Sequence, residues 1–151
     1  MRDRYVDPAK RALLKPETIW EIEQGLGMSA DTVYAASVIR SQYYAHMARL
    51  FQRYDAVVLP VAQVWPFPVG WRWPQEINGH RMDTYHRWME VVIPISLIGL
   101  PALSLPVGFG AAGLPMGMQL AGPVGADARV LAMGQQYHLA TDWPGKRPPP
   151  L

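Results

Sequence analysis

Hydrolytic chemistry needs a nucleophile and a base placed to take its proton, and this sequence offers few of either. Its serines are Ser29, Ser37, Ser41, Ser96 and Ser104, none adjacent to another and none in a Gly/Ser-rich run. Its lysines are Lys10, Lys15 and Lys146, at the two ends of the chain. No Gly-x-Ser-x-Gly elbow is present. Cysteine is absent, which excludes thiolate nucleophiles, disulfides and cysteine-based metal sites. No catalytic residue is assigned on this basis, and no cofactor or metal is expected.

Other candidates for chemistry are sparse. His86 and Glu90 stand one helical turn apart, but a zinc site needs at least a third ligand. His46 and His138 have no partner within motif range. Trp65, Phe67, Trp71 and Trp73 suit either an aromatic recognition platform, as for proline-rich peptides, or a packed structural role, and packing is the favoured reading. Glycines 108, 110, 113 and 117 lack the Gly-Lys-Ser/Thr ending of a phosphate loop, so they read as a turn. Ser104, between Leu103 and Leu105, reads as an interior hydroxyl on a strand.

The chain of 151 residues is half apolar, with 17% charged residues and a formal net charge of +2. That length and balance suit one globular domain. The cations are scattered over Arg2, Arg4, Lys10, Arg11, Arg40, Arg49, Arg53, Lys146 and Arg147 rather than gathered on one face, so nucleic acid is not expected as a partner. No apolar run reaches the roughly 20 residues of a membrane span, and Met1 to Tyr5 leads into no apolar signal core. A soluble, cytoplasmic protein with no membrane partner is the expectation.

The elements that must position any site follow from periodicity. A short helix is expected from Pro16, with proline in its first turn and Gly25 or Gly27 closing it. Ser29 should cap a long helix running to about Tyr54. Ala36, Ile39, Tyr43, Met47, Leu50 and Tyr54 form one apolar stripe on it. Ala56 to Val61 reads as a strand buried on both faces, central and parallel. A Pro- and Trp-rich stretch from Pro60 to Pro74 should be ordered but irregular, as should the tail Pro144 to Pro150. Asn78-Gly79 marks a tight turn. Asp83 or Thr84 should cap a helix through Val92 that Pro94 kinks or interrupts. Strands are expected at Ala102 to Val107 and Met116 to Ala121, then a last helix from about Ala126 to Thr141. This order implies an α/β arrangement.

The run from Gly99 to Phe109, Gly-Leu-Pro-Ala-Leu-Ser-Leu-Pro-Val-Gly-Phe, resembles a signature segment near the end of amidase-signature enzymes. The run from Gly113 to Pro123, Gly-Leu-Pro-Met-Gly-Met-Gln-Leu-Ala-Gly-Pro, follows it at the spacing of that family. Phe51 to Pro60 upstream, and Ala140 to Trp143 with the tail Arg147-Pro148-Pro149 downstream, are similar to the family's flanking pieces. One departure is Ser96, where many relatives have asparagine.

The resemblance implies the C-terminal portion of an amidase-signature α/β fold, a mixed sheet flanked by helices. On this reading residues 1–28 are a leading segment and residues 29–151 one incomplete globular unit. The family hydrolyses carboxamide C–N bonds with a serine nucleophile, a second serine after a cis peptide bond, and a lysine as ultimate base. Lysine can take that role only when burial keeps it neutral, and backbone amides around the nucleophile form the oxyanion hole. None of these parts matches a position here, so the chain is expected to be inactive alone. The resemblance also implies that the helix before Gly99 lines the acyl side of the substrate pocket. His86, Met89 and Ile93 would share one α-helical face there, as pocket lining or equally as core packing. The expected partner is a missing N-terminal half, or a second copy through an exposed apolar face, with a small amide as substrate of the complete enzyme. The alternative is a non-catalytic binding or interaction module derived from the same fold.

Overall fold

In a computed structural model, residues 2–148 are described. The expected tail therefore falls partly outside the described residues, at Pro149 and Pro150. The chain forms two compact units, residues 1–42 and 43–151, with the boundary inside one helix.

In the second unit a three-stranded sheet has the order β1-β5-β4, from β1 (Val57–Pro60), β5 (Pro115–Ala121) and β4 (Ala102–Phe109). Both pairings are antiparallel. The expectation of a central parallel strand at Val57–Pro60 is thus corrected. An apolar run without polar alternation suggested burial on both faces, yet β1 lies at the sheet edge and Val58 is 53% exposed.

Both outer strands carry a proline where an edge tolerates one. Gly122 N donates to Pro101 O at 3.0 Å and Val61 N to Gly117 O at 3.2 Å. Counting back in register from those bonds, Pro106 of β4 and Pro60 of β1 occupy the alternate positions whose backbone turns outward. Proline has no N–H to leave unmatched there.

Each sheet face carries its own core. On one, Leu105 and Leu120 pack with Val130 of α6 (Asp127–Thr141), joined by Leu103, Met118, Met133 and Tyr137. Gly134 lets α6 approach Leu103 closely. On the other, Met47, Ile95, Ile98 and Ala121 cluster with Tyr43, Leu50, Phe51, Val57 and Leu59. Ile95 is 1% exposed, and burying it stabilises the unit by roughly 2–3 kcal/mol. Coverage is diagonal. Val58 shares the α6 face with its partner Leu120 but stays exposed at the β1 edge. Ala102 and Ser104 are exposed on the opposite face at the β4 edge. The interior hydroxyl expected at Ser104 is therefore a surface one. Strand alternation turns it away from the core that Leu103 and Leu105 enter.

The two expected strands pair as the β4–β5 hairpin, with a register shift between Pro106 and Gly108. Trp143, in α7 (Trp143–Lys146), lies over Gly108, 3.5 Å from where a Cβ would stand. Asn78 and Gly79, both at positive φ, close a small hairpin of β2 (Glu76–Ile77) and β3 (His80–Arg81). The stretch between β1 and β2 is irregular, as the prolines imply.

The first unit is helical: α1 (Arg2–Val6), α2 (Pro8–Arg11), α3 (Pro16–Gly27) and the start of α4 (Ala30–Leu50). Pro16 opens α3, and Ser29 Oγ accepts from Thr32 N at 3.1 Å. The long helix stops at Leu50 rather than Tyr54. Gln52 N and Arg53 N bond three residues back, to Arg49 O and Leu50 O, tightening the last turn.

Candidate functional site

The segment from His86 to Ile98 separates the irregular aromatic loop from β4, and its winding differs from expectation. Residues Arg87–Val92 form a 3-10 helix, followed by α5 (Ile93–Leu97). Neither Asp83 nor Thr84 caps it through a side chain; Asp83 instead accepts from Arg87 Nε at 3.0 Å. Pro94 marks the interruption expected of it: the 3-10 helix ends at Val92, and Pro94 stands within the first two positions of α5.

Three constraints, two of them from distant residues, account for the tight winding. An α-turn would send Val91 N–H to the Arg87 carbonyl and would satisfy the Val91 carbonyl from Ile95. Here Val91 N donates to Gln63 Oε1 at 3.0 Å, and Val91 O accepts from Gln119 Nε2 at 3.0 Å. The same Nε2 donates to Pro60 O at 2.9 Å. Pro94 has no N–H for the Glu90 carbonyl, which accepts instead from Ile93, three residues on. Gln119 is only 5% exposed. A buried amide costs free energy unless its donors are met, and both N–H groups of Gln119 are.

The burial pattern follows a three-residue period. Arg87, Glu90 and Ile93 are exposed, while His86, Trp88, Met89, Val91 and Val92 are half-buried. Arg87 joins Glu90 at 3.5 Å along the exposed row. His86, Met89 and Ile93 therefore do not share a face. At roughly 120° per residue, Ile93 turns about a third of the way round from the other two. The same winding removes the one-turn alignment of His86 with Glu90. Among the described residues no group of three or more His, Asp or Glu side chains is placed to hold a metal.

Aromatic side chains pack around this segment. Phe67 stacks on Trp71 at 6.2 Å between ring centroids and meets Trp88 edge-on at 5.6 Å. Tyr85 meets Trp73 at 5.6 Å, His86 at 5.8 Å and Trp88 at 6.1 Å, all edge-to-face. Edge-to-face pairs stabilise beyond their buried area. Tyr85 and Trp88 thus join a cluster foreseen only from the loop. Trp65 stands apart from these ring pairs, over Gly110. An open cleft of about 530 Å³ is lined by Trp71, Arg72, Trp73, Gln75 and Glu76. A second, of about 270 Å³, lies among Tyr44, Ala48, Phe51, Gln52, Leu100, Pro123 and Val124.

Three of the serine hydroxyls and two of the lysine amines are engaged locally. Ser37 and Ser41 donate to carbonyls four residues back, at 3.1 and 2.9 Å, and Ser96 donates to Val92 O at 3.3 Å. Lys10 pairs with Asp7 at 3.2 Å, and Lys146 Nζ lies 4.5 Å over the Trp143 ring. The Arg87 guanidinium holds the Asp83 carboxyl below its ordinary range.

The family model for amidases matches residues 1–131. The chain belongs to the amidase family. The glutamyl-tRNA(Gln) amidotransferase A subunit of Thiobacillus denitrificans is 34% identical over 122 residues, which are 80% of this chain and 24% of that protein. The crystal structure of a bacterial aryl acylamidase of the amidase signature enzymes superposes with a TM-score of 0.79 at 25% identity. The match covers 99% of this chain and 32% of that one. A further amidase crystal structure superposes at 0.72 with 26% identity, over 84% and 29% of the two chains. The chain thus spans about a quarter to a third of the length of these relatives. The α/β fold class expected from the sequence is that of these enzymes.

Proposed function

We propose that this chain is the C-terminal part of an amidase that hydrolyses carboxamide C–N bonds, and that it is inactive alone because the Ser-Ser-Lys residues lie outside it. The observation that supports this most is the pairing of near-complete coverage of this chain with one-third coverage of the aryl acylamidase. The sheet fits that reading, since both of its faces are covered only in part. In the complete enzyme the segment that carries His86, Met89 and Ile93 forms the acyl side of the substrate pocket.

The partner in this reading is the N-terminal half of the enzyme or, for the isolated chain, a second copy. Either would cover exposed apolar residues of the second unit, among them Val58, Leu97, Val107 and Val124. Exposed apolar patches usually find partners, so the isolated chain should elute as oligomers or aggregates on sizing; a sharp monomer peak would count against it. A cytoplasmic location belongs to the same proposal. No helix among the described residues is long and apolar enough to cross a membrane.

The test is turnover of a panel of aryl and alkyl amides by the isolated chain, with labelling by a serine-reactive fluorophosphonate alongside. Neither turnover nor labelling is expected. Saturable turnover with stoichiometric labelling would overturn the proposal, and one of the five serines would then have to be the nucleophile.

A further inference from the structure

We propose that the outer edge of β4 pairs with the same edge of a second copy of this chain, joining two three-stranded sheets into one across a two-fold axis at Ser104. The inference rests on the self-association proposed above and names the surface and the register that carry it.

The two edges of the sheet differ in what they leave open. On β1, Pro60 has no N–H, and its carbonyl already accepts from Gln119 Nε2 at 2.9 Å. That leaves Val58 as the one outward position of this strand with its backbone open. On β4 the outward positions are Ala102, Ser104 and Pro106, and both Ala102 and Ser104 are exposed. A row of unpaired N–H and C=O groups templates another strand, and proteins usually blunt such edges with charge, proline or brevity. No residue from Ala102 to Phe109 is charged. Pro106 blunts one end of β4 and leaves the stretch from Ala102 to Leu105 open.

Antiparallel pairing about Ser104 matches these groups to themselves, as a two-fold contact requires. Each Ser104 N–H donates to the Ser104 carbonyl of the other copy, and each Ala102 N–H to the other Pro106 carbonyl. The N–H that Pro106 lacks leaves only the Ala102 carbonyl to water.

The helix above this edge fits the same pairing. Val130 of α6 faces the sheet at 2% exposure, so Arg129 and Leu131, each roughly 100° away, fall on opposite flanks. Arg129 reaches back toward β1, where it meets Asp55 at 3.6 Å. Gly134, on the Leu131 side of Val130, lies against Leu103 of β4. The flank above the open edge is therefore that of Leu131, Gln135 and His138, all exposed, with no Asp, Glu, Lys or Arg among them. Leu131 itself is 58% exposed. Because α6 packs on both β4 and β5, its axis lies about half a strand spacing inside β4. With strands about 4.8 Å apart, the two α6 axes of the pair stand about 10 Å apart, a helix-packing distance. Strand pairing and burial of Leu131 thus come from one geometry.

The chain has no cysteine, so single cysteines report the register. At a directly opposed hydrogen-bonded pair the Cα atoms stand about 5.5 Å apart, within disulfide reach. Oxidation with copper phenanthroline should link Ser104→Cys into a covalent dimer. It should leave Ala102→Cys unlinked, because its two copies lie about 14 Å apart along the strands. Light scattering on a sizing column should give a dimer for the isolated wild-type chain. Ser104→Pro removes one cross-axis N–H per copy and should raise the dissociation constant about tenfold or more. Leu131→Glu should also disperse the dimer, since it brings like charges together at the helix contact without altering the strand. Val58→Pro, at the outward position of β1, should leave the dimer intact.

A dimer or larger oligomer that withstands both Ser104→Pro and Leu131→Glu would overturn this interface, as would equal linking at positions 102 and 104. If Ser104→Pro does not fold, Leu131→Glu and the cross-link still decide. A monomeric wild-type chain would overturn the self-association reading along with the interface. Amide turnover by the isolated chain would overturn the catalytic part of the reading above and leave the interface standing.

Discussion

Between residues 2 and 42, three helices and the first part of a fourth leave every side chain at least partly open to solvent. Between residues 43 and 148, two clusters bury Met47, Ile95, Ile98 and Ala121 on one sheet face and Leu105, Leu120 and Val130 on the other. The first region is held by surface polar contacts. Tyr5 donates to Glu23 at 3.0 Å, Arg11 meets the same carboxylate at 2.8 Å, and Asp7 caps α2 through Ala9 N and Lys10 N. Exposed ion pairs are weak because solvent screens them and two long side chains must be ordered. The two regions therefore rest on different physics: local hydrogen bonding in the mostly helical first, exclusion of apolar area from water in the second.

That contrast is breakable by truncating comparable side chains in each region. Ile95→Ala should cost about 2–5 kcal/mol, read as a lower urea midpoint for the second unit. A loss under 1 kcal/mol would mean that this core is looser than its burial indicates. Next in size is Gly122→Ala. A Cβ there would stand 2.5 Å from Val130 Cγ2, on a stiff, β-branched side chain only 2% exposed. Overpacking of this kind costs about 1–3 kcal/mol, and an unchanged midpoint would show that α6 can shift.

In the first region, Leu13→Ala removes an aliphatic side chain that is 85% exposed, and stability should stay within about 0.5 kcal/mol. A loss comparable to that at Ile95 would remove the distinction between the two regions.

The smallest effect sharpens the comparison through pH. The Lys10 backbone N–H, more than the Lys10 side chain, holds the Asp7 carboxyl below its ordinary range, and Arg87 does the same for Asp83. A depressed folded pKa adds stability above the unfolded value that is lost as pH falls through the folded one. Asp7→Asn and Asp83→Asn should each flatten the acid side of the stability profile slightly. Added salt should mask the Asp83 effect more than that of Asp7, whose largest contact is with the backbone. Equal salt responses would contradict that assignment.

Much of the chain was legible from local chemistry alone. Pro16 at the start of α3, Ser29 ahead of α4, Asn78-Gly79 between β2 and β3, and the β4–β5 hairpin all behave as their residue types require. The family was legible in the runs Gly99 to Phe109 and Gly113 to Pro123, and the match over residues 1–131 agrees.

What local pattern misjudged depends on distant neighbours. Val57 to Pro60 has the composition of a buried central strand, but whether a strand is central depends on what pairs with it, and β1 pairs on one side only. Ser104 has the setting of an interior residue, but a strand's two faces are told apart only by what packs on them. The segment from His86 to Val92 has an α-helical pattern, yet Gln63 and Gln119 engage the backbone at Val91 from 28 residues away on either side. Propensity, capping and turn chemistry act within a few residues and are written along the chain. The choice between i+3 and i+4 winding at Val91 was settled by long-range hydrogen bonds, which exist only once β1, β5 and this helix have come together.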